Sequence, residues 1–460
     1  MTRGRLALAV VALTIARLWL SGRTELLPEE AYYWMYAQHP ALGYFDHPPM
    51  VAWIIRAGTS VFGNTETGVR VVNILLWIGT CVLLFATARH WFGEQVALGA
   101  AGLFVMLPVF VGTGFIVTPD GPLLFFWMLM LFAVTGRYWW LAGLAFGGAL
   151  LSKYYAVVLA PSLLWFQWRR GELRRWQPWA ALALGLALFS PVILWNAQHD
   201  WASFAFQSSR AVAQKGSLPE KVGMFWLMQM GGLTPVGFAL FAVAAVRGVK
   251  RRREEAWSFA MSFSLPLFLL FVAASFKTDV RINWTAPAFL TLAMAGAAVL
   301  NSRAAAWALG LLCAITAILL HSSLAFGIPA YTQAGGWRAL AERVASARQE
   351  LAARTGQTPF VIGADRYNFA AELGFYLRDP QDCVNVYAVG GRGMSFRYWT
   401  DLRRFEGRPA VIVVYGTANR IIPELDGYFT HLDAPVPISS RGRREVTLIN
   451  GYDYPGKARP

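Results

Sequence analysis

The stretch TPDGPLLFFWMLMLFAVTGRYWWLAGLAFGGALLSKYY, residues 118–155, decides the fold. Between Asp120 and Lys153 only Arg137 carries charge, and it parts two apolar runs, 119–136 and 138–152. A helix needs about 20 apolar residues to cross a bilayer, with a range of about 17–25. Working outward, similar runs lie at 5–21, 68–88, 95–112, 154–168, 178–196, 223–246, 257–275, 283–300 and 304–322. The expectation is a polytopic α-helical membrane protein of about eleven spans. The pair within 138–168 is short for two full crossings, so it reads as two tilted short helices or one broken helix.

Composition agrees. Hydrophobic residues make up 56% of the 460-residue chain, charged residues 15%, and mean hydropathy is +0.42. A soluble domain sits near about 45–50% apolar and about 25% charged. The net charge of +15 clusters between apolar runs, as at Arg169-Arg170, Arg174-Arg175 and Lys250-Arg251-Arg252-Arg253. Such clusters mark cytoplasmic loops rather than nucleic-acid binding. With the N-terminus inside, loops 89–94, 137, 169–177, 247–256 and 301–303 fall inside, and loops 22–67, 113–118, 197–222 and 276–282 fall outside. The segment Arg5 to Leu20 has a basic start but no clear small-residue cleavage site, so it reads as a retained first helix. Three cysteines at no metal spacing leave no disulfide framework or zinc site to read. Two domains are expected: residues 1–325 in the membrane, including the outer loop 22–67, and a soluble α/β domain over 330–460. In the latter, a helix from Trp337 to Arg354 precedes strand-like runs at 359–363, 384–389 and 410–415.

Ionisable residues beside a membrane are costly and mark function by default. Glu29 and Glu30 follow Pro28. Adjacent carboxylates repel, which suits a general base, but an acidic first turn behind proline also suits a helix N-terminus. Asp46-His47 before Pro48-Pro49 reads as a metal or proton-relay pair, or as a turn. Asp120 after Thr118-Pro119 reads as a helix cap or a sugar-hydroxyl ligand. Lys153, Arg70, Lys277 and Arg281 each read as a point charge for a lipid phosphate or as a snorkelling anchor. The chain has no phosphate-cradling glycine loop and no sizeable cytoplasmic domain to hold a nucleotide. An activated donor must then come from the outer side or from the membrane, which favours a lipid-linked donor. A lipid-linked sugar transporter or flippase is the rival reading. It predicts paired repeats and charges near the midplane, whereas this chain has no internal repeat and its acids cluster in outer loops.

Glu29-Glu30-Ala31-Tyr32-Tyr33-Trp34, then Gly43-Tyr44-Phe45-Asp46-His47-Pro48-Pro49, Thr118-Pro119-Asp120 and Leu151-Ser152-Lys153-Tyr154 together resemble the bacterial protein O-mannosyltransferase-like superfamily, which includes the aminoarabinose transferase acting on lipid A. Gln198-His199-Asp200-Trp201 and Asn283-Trp284-Thr285-Ala286-Pro287 are similar to the same family. The resemblance implies a GT-C fold with a soluble C-terminal domain outside. It implies inverting sugar transfer from a polyprenyl-phosphate donor to a lipid or glycan acceptor, at the outer face of a bacterial inner membrane. By the same resemblance Glu29, Glu30 and Asp120 are the catalytic candidates, and Lys153, Arg70, Arg281 and Lys277 hold donor phosphate. Tyr33, Tyr44, Asp46, His47, Tyr154, His199 and Asn283 are the substrate contacts. A divalent ion is expected at Asp46 and His47; His47 stands where the aminoarabinose transferase has a lysine near donor phosphate, and Glu29 where the family more often has aspartate.

Overall fold

The computed structural model describes residues 2–212, 217–300, 302–326, 335–364, 367–386, 394–416, 425, 428–438 and 446–456. The chain divides into two compact units. The first comprises residues 1–19, 42–54 and 70–321; the second comprises 20–41, 55–69 and 322–460. Parts of the segment 20–69 therefore group by contact with the C-terminal residues.

The first unit is helical. Its helices are α1 (Arg3–Ser21), α3 (Met50–Phe62), α4 (Glu66–Phe92), α5 (Glu94–Met106), α6 (Pro108–Thr113), α7 (Asp120–Thr135) and α8 (Trp139–Ser152). They continue with α9 (Leu159–Arg169), α10 (Trp176–Gln198), α11 (Ala202–Val212), α12 (Leu218–Leu233), α13 (Pro235–Lys250), α14 (Glu255–Ser275), α15 (Ile282–Val299) and α16 (Arg303–Phe326). Helices α1, α4 and α16 extend at their ends into the second unit, and α3 passes into it after Ile54. Among the described residues, five helices (α1, α4, α10, α14 and α15) are each long and apolar enough to cross a membrane. This is a multi-pass membrane protein.

The structure changes the expected spans in two places. The run expected as one span at 223–246 is α12 and α13, bent by 102° at Thr234. Pro235 lacks the N–H that would continue the helix, and Thr234 takes φ +60 and caps α13 by accepting from Gly237 N at 3.3 Å. The run expected at 95–112 breaks at Leu107-Pro108 for the same reason. The short pair at 138–168 is α8, a 3-10 turn at Tyr154–Val158, and α9. Helix α8 packs closely on α10 because Gly143 and Gly147 face it: a Cβ at Gly143 would lie 2.8 Å from Ala181 O, and one at Gly147 would lie 2.7 Å from a Leu188 methyl. Hydrocarbon supplies no hydrophobic drive between helices, so such small-residue contacts carry the packing.

The second unit holds α2 (Pro28–Gln38), α17 (Trp337–Thr355), α18 (Asn368–Tyr376) and a mixed sheet. The strands are β1 (Phe360–Gly363), β2 (Cys383–Asn385), β3 (Ala410–Tyr415), β4 (His431–Leu432), β5 (Val436–Ile438) and β6 (Val446–Tyr452). Their order is β2-β1-β3-β6-β4, with β5 also on β6; β1 pairs parallel with β2 and β3, and β3 pairs antiparallel with β6. Alternation along β3 sends Val411 and Val413 to one face, under Trp337 and Phe369, and Ala410, Ile412 and Val414 to the other, with Phe405 and Tyr454. The three expected strands fall on β1, β2 and β3, with residues 387–389 outside the described residues; β6 went unread. Helix α2 packs on α18, where Trp34 meets Phe375 edge-on at 5.1 Å.

Candidate active site

Asp120 opens α7, but its carboxylate does not cap that helix. Pro119 holds the N-cap position with no side-chain hydrogen bond. The carboxylate accepts from Lys153 Nζ at 2.7 Å, Asn283 Nδ2 at 2.7 Å and Thr118 Oγ1 at 3.1 Å. The Lys153 and Asp120 side chains are only 6% and 2% exposed. The helix-cap and snorkelling-anchor alternatives are thereby corrected: this is a buried ion pair.

Local backbone delivers the lysine. Helix α8 ends at Ser152, whose Oγ donates back to Gly148 O at 2.7 Å, and Lys153 turns extended at φ −150, ψ 141. Asn283 comes from the first turn of α15, just past the extended Arg281. Three elements distant in sequence thus place a cation, a carboxylate and an amide together. The ammonium also lies 5.5 Å from the Tyr155 ring centre. A buried cation held by a fixed acid acts through a low dielectric, where its interactions are worth more than in water.

Further buried cations lie in the same unit. Arg70, in the first turns of α4, is 1% exposed with its guanidinium 5.0 Å over Phe115. Arg17, which the sequence reading missed, is fully buried in α1. It stacks 3.9 Å over Trp77 and donates to Val111 O at 3.2 Å, while its Nε and Nη1 find no acceptor. An arginine inside an apolar run was the available signal. Asn73 was missed too; it is buried and donates to Thr113 O at 3.0 Å. With Arg17 it satisfies carbonyls at the end of the short helix α6, shortly before Asp120.

The other sequence-predicted residues of this unit are placed as follows. Tyr44 and Asp46 are buried and His47 half-buried. The turn they form is held by Tyr44 N donating to His47 O at 3.2 Å, Ser203 Oγ donating to Tyr44 O at 2.7 Å, and Gln207 donating to Asp46 O. Tyr154 packs edge-on against Phe204 at 5.3 Å. His199 stacks on Trp195 at 4.1 Å, its Nδ1 2.7 Å from Trp195 O, at the end of α10. Lys277 and Arg281 are exposed, and Arg281 lines a cavity of about 350 Å³ with Lys221, Met224 and Phe225. Among the described residues no group of three or more His, Cys, Asp or Glu gathers to hold a metal ion.

The second unit carries Glu29, Glu30 and Tyr33. Glu30 is fully buried, and its carboxylate accepts from Leu27 N at 3.0 Å, closing the first turn of α2. This is the helix-terminus alternative for Glu30. Glu29 is half-buried one residue earlier. Tyr33 packs with Tyr32 and Tyr36, ring centres 5.8 and 5.5 Å away. Glu66 accepts from Arg338 and, at 3.2 Å, from the Tyr376 hydroxyl. Burial, with Glu372 and Glu66 nearby, pushes the Tyr376 hydroxyl well above its ordinary range.

The family model described as dolichyl-phosphate-mannose-protein mannosyltransferase matches residues 46–195, the stretch holding Asp46, Arg70, Asp120 and Lys153. The chain is 26% identical over 397 residues to a lipid A galacturonosyltransferase of Rhizobium johnstonii, covering 82% of each. It is 27% identical over 170 residues to an undecaprenyl phosphate-alpha-4-amino-4-deoxy-L-arabinose arabinosyl transferase of Pseudomonas paraeruginosa, over 34% of this chain and 31% of that protein. The fold is shared with ArnT from Cupriavidus metallidurans bound to undecaprenyl phosphate: TM-score 0.66, 16% identity, 97% of this chain and 98% of that one. The fold is that of the GT-C membrane glycosyltransferases, and the named relatives make the chain a membrane glycosyltransferase. Within that class the chain is similar to the bacterial protein O-mannosyltransferase-like and aminoarabinose-transferase-like enzymes.

Proposed function

We propose that this enzyme moves a sugar, with inversion, from a polyprenyl-phosphate donor to a lipid acceptor at the outer face of a bacterial inner membrane. The observation that carries the reading is the buried Lys153–Asp120–Asn283 cluster. The named relatives support it: two are transferases acting on lipid A or using an undecaprenyl-phosphate sugar, and the similar fold is that of a protein bound to undecaprenyl phosphate. The acceptor oxygen attacks the sugar's anomeric carbon from the face opposite the phosphate. The carbon–oxygen bond to phosphate breaks, and its electrons leave on the phosphate. Lys153 stabilises that charge, Asp120 holds Lys153 in place and is itself fixed by Asn283, and Arg70, Lys277 and Arg281 add positive charge. The acceptor's proton goes to a carboxylate where the acceptor is a hydroxyl, and Glu29 is the proposed base. That role rests on residue type and motif; the geometry described for Glu30 favours a structural task.

The test is release of polyprenyl phosphate from a panel of labelled polyprenyl-phosphate sugars, with total bacterial lipid as acceptor. Wild type should consume one donor, and Lys153→Met should lose at least about 100-fold in turnover, in the range attributed to one preorganised charge. A Lys153→Met enzyme that turns over at the wild-type rate would remove Lys153 from the mechanism. Transport of intact lipid-linked sugar without cleavage would overturn the transferase reading itself.

A further inference from the structure

A cavity of about 530 Å³ lies in the second unit, apart from every residue in the mechanism above. One wall is preformed: Arg338 donates to Glu66, and the Tyr376 hydroxyl donates to Glu66 while accepting from Leu26 N at 2.9 Å. That wall is close to neutral. Opposite charge remains available in Arg378 and Glu342, which line the same cavity.

Arg378 is the informative residue. Helix α18 ends at Tyr376, Leu377 follows as its cap, and Arg378 takes φ +55. Its N–H donates to Phe375 O at 3.2 Å, and Asp379 N donates to Gly374 O at 3.0 Å. This is the left-handed position after a helix that glycine occupies at least cost. An arginine stands there, and its side chain is exposed. Backbone strain retained at a cavity wall, by an exposed cation that lines the cavity, points to use of that side chain. The rest of the lining suits a sugar. Asn64, Thr65 and Glu342 offer donors and acceptors for hydroxyl groups, and Tyr376 offers an apolar ring. Asn64 is held in place through Trp34 Nε1, which donates to its Oδ1 at 2.9 Å.

We propose that this cavity binds a sugar bearing an anionic group, phosphate or carboxylate, with Arg378 as its charge contact. Resting on the transferase reading, the occupant is the anionic sugar head of the acceptor lipid. A guanidinium fork matches either anion through paired hydrogen bonds.

The test uses the full-length protein in detergent micelles, with glucose 1-phosphate, glucuronate and glucose as probes, followed by saturation-transfer NMR. Wild type should bind the charged probes and not glucose; which of the two binds tighter identifies the anion. Arg378→Gly should weaken charged-probe binding at least about ten-fold, the size of a lost charge-assisted hydrogen bond. The same substitution should leave the melting temperature unchanged or raise it, because glycine relieves the backbone. Arg378→Lys, which keeps the charge but loses the fork, should fall between. In the transfer assay Arg378→Gly should raise the acceptor KM at least five-fold with kcat within two-fold of wild type. Probe binding equal in wild type and Arg378→Gly, or none in wild type, overturns the proposal. Arg378-dependent binding in a protein that transfers no sugar would keep the subsite and discard the transferase reading.

Discussion

Removing one partner of the Lys153–Asp120 pair should destabilise the protein far more than removing both. At 2.7 Å and an effective dielectric of about 20, the two charges attract by about 6 kcal/mol. Burying each ion costs several kcal/mol, so the intact pair is near balance against a well-packed apolar pair. A single substitution removes the attraction and leaves the other charge in place, at a cost of about 3–5 kcal/mol. Lys153→Met should fall at the low end, because Asp120 keeps Asn283 and Thr118 as donors. Asp120→Leu should cost about 3–5 kcal/mol, and the double variant no more than about 2 kcal/mol, a coupling of several kcal/mol. The assay is tryptophan fluorescence during SDS titration in mixed micelles, with refolding checked by dilution. Single variants within about 1 kcal/mol of wild type, or a double variant equal to the sum of the singles, would refute a buried, mutually compensating pair.

Gly121 is pressed against Asn73: a Cβ at Gly121 would lie 1.7 Å from Asn73 Oδ1. Gly121→Ala should therefore cost about 1–3 kcal/mol by overpacking, and Asn73→Ala in the same chain should recover part of it; additive costs in the same micelle titration would count against direct contact. Burial holds the His39 imidazole below its ordinary pKa, outweighing its contact with Met35 O, and Arg404 adds to the lowering. A depressed folded pKa means the unfolded chain binds the proton more readily. The His39 contribution is thus intact above about pH 6.5 and lost as pH falls through the lower folded value. His39→Gln should flatten the fall in stability between about pH 7 and pH 5; an unchanged slope by thermal unfolding would exclude His39 as its source. Replacing Glu30 by Gln should leave the helix start intact and turnover within about ten-fold, since its carboxylate serves the Leu27 N–H. Loss of turnover as deep as that of Lys153→Met would return Glu30 to the catalytic set.

The sequence by itself determined that this chain lives in a membrane, because the energy of crossing a bilayer depends on local apolar length, and the apolar runs are written consecutively. It also marked the short strand-like runs of the tail, and it singled out Asp120 and Lys153 as charges beside apolar runs, with Asn283 added by the family resemblance. Only the tertiary structure decided what those residues do. Asp120 meets a lysine 33 residues away and an asparagine 163 residues away, and no local pattern encodes which helix ends pack together. The bend of 102° at Thr234 was hidden for the converse reason: hydropathy averages over direction, and Pro235 stops a helix without interrupting its apolar run. Likewise Glu29 and Glu30 are equivalent as letters, and only the folded geometry turns the Glu30 carboxylate back to accept from Leu27 N.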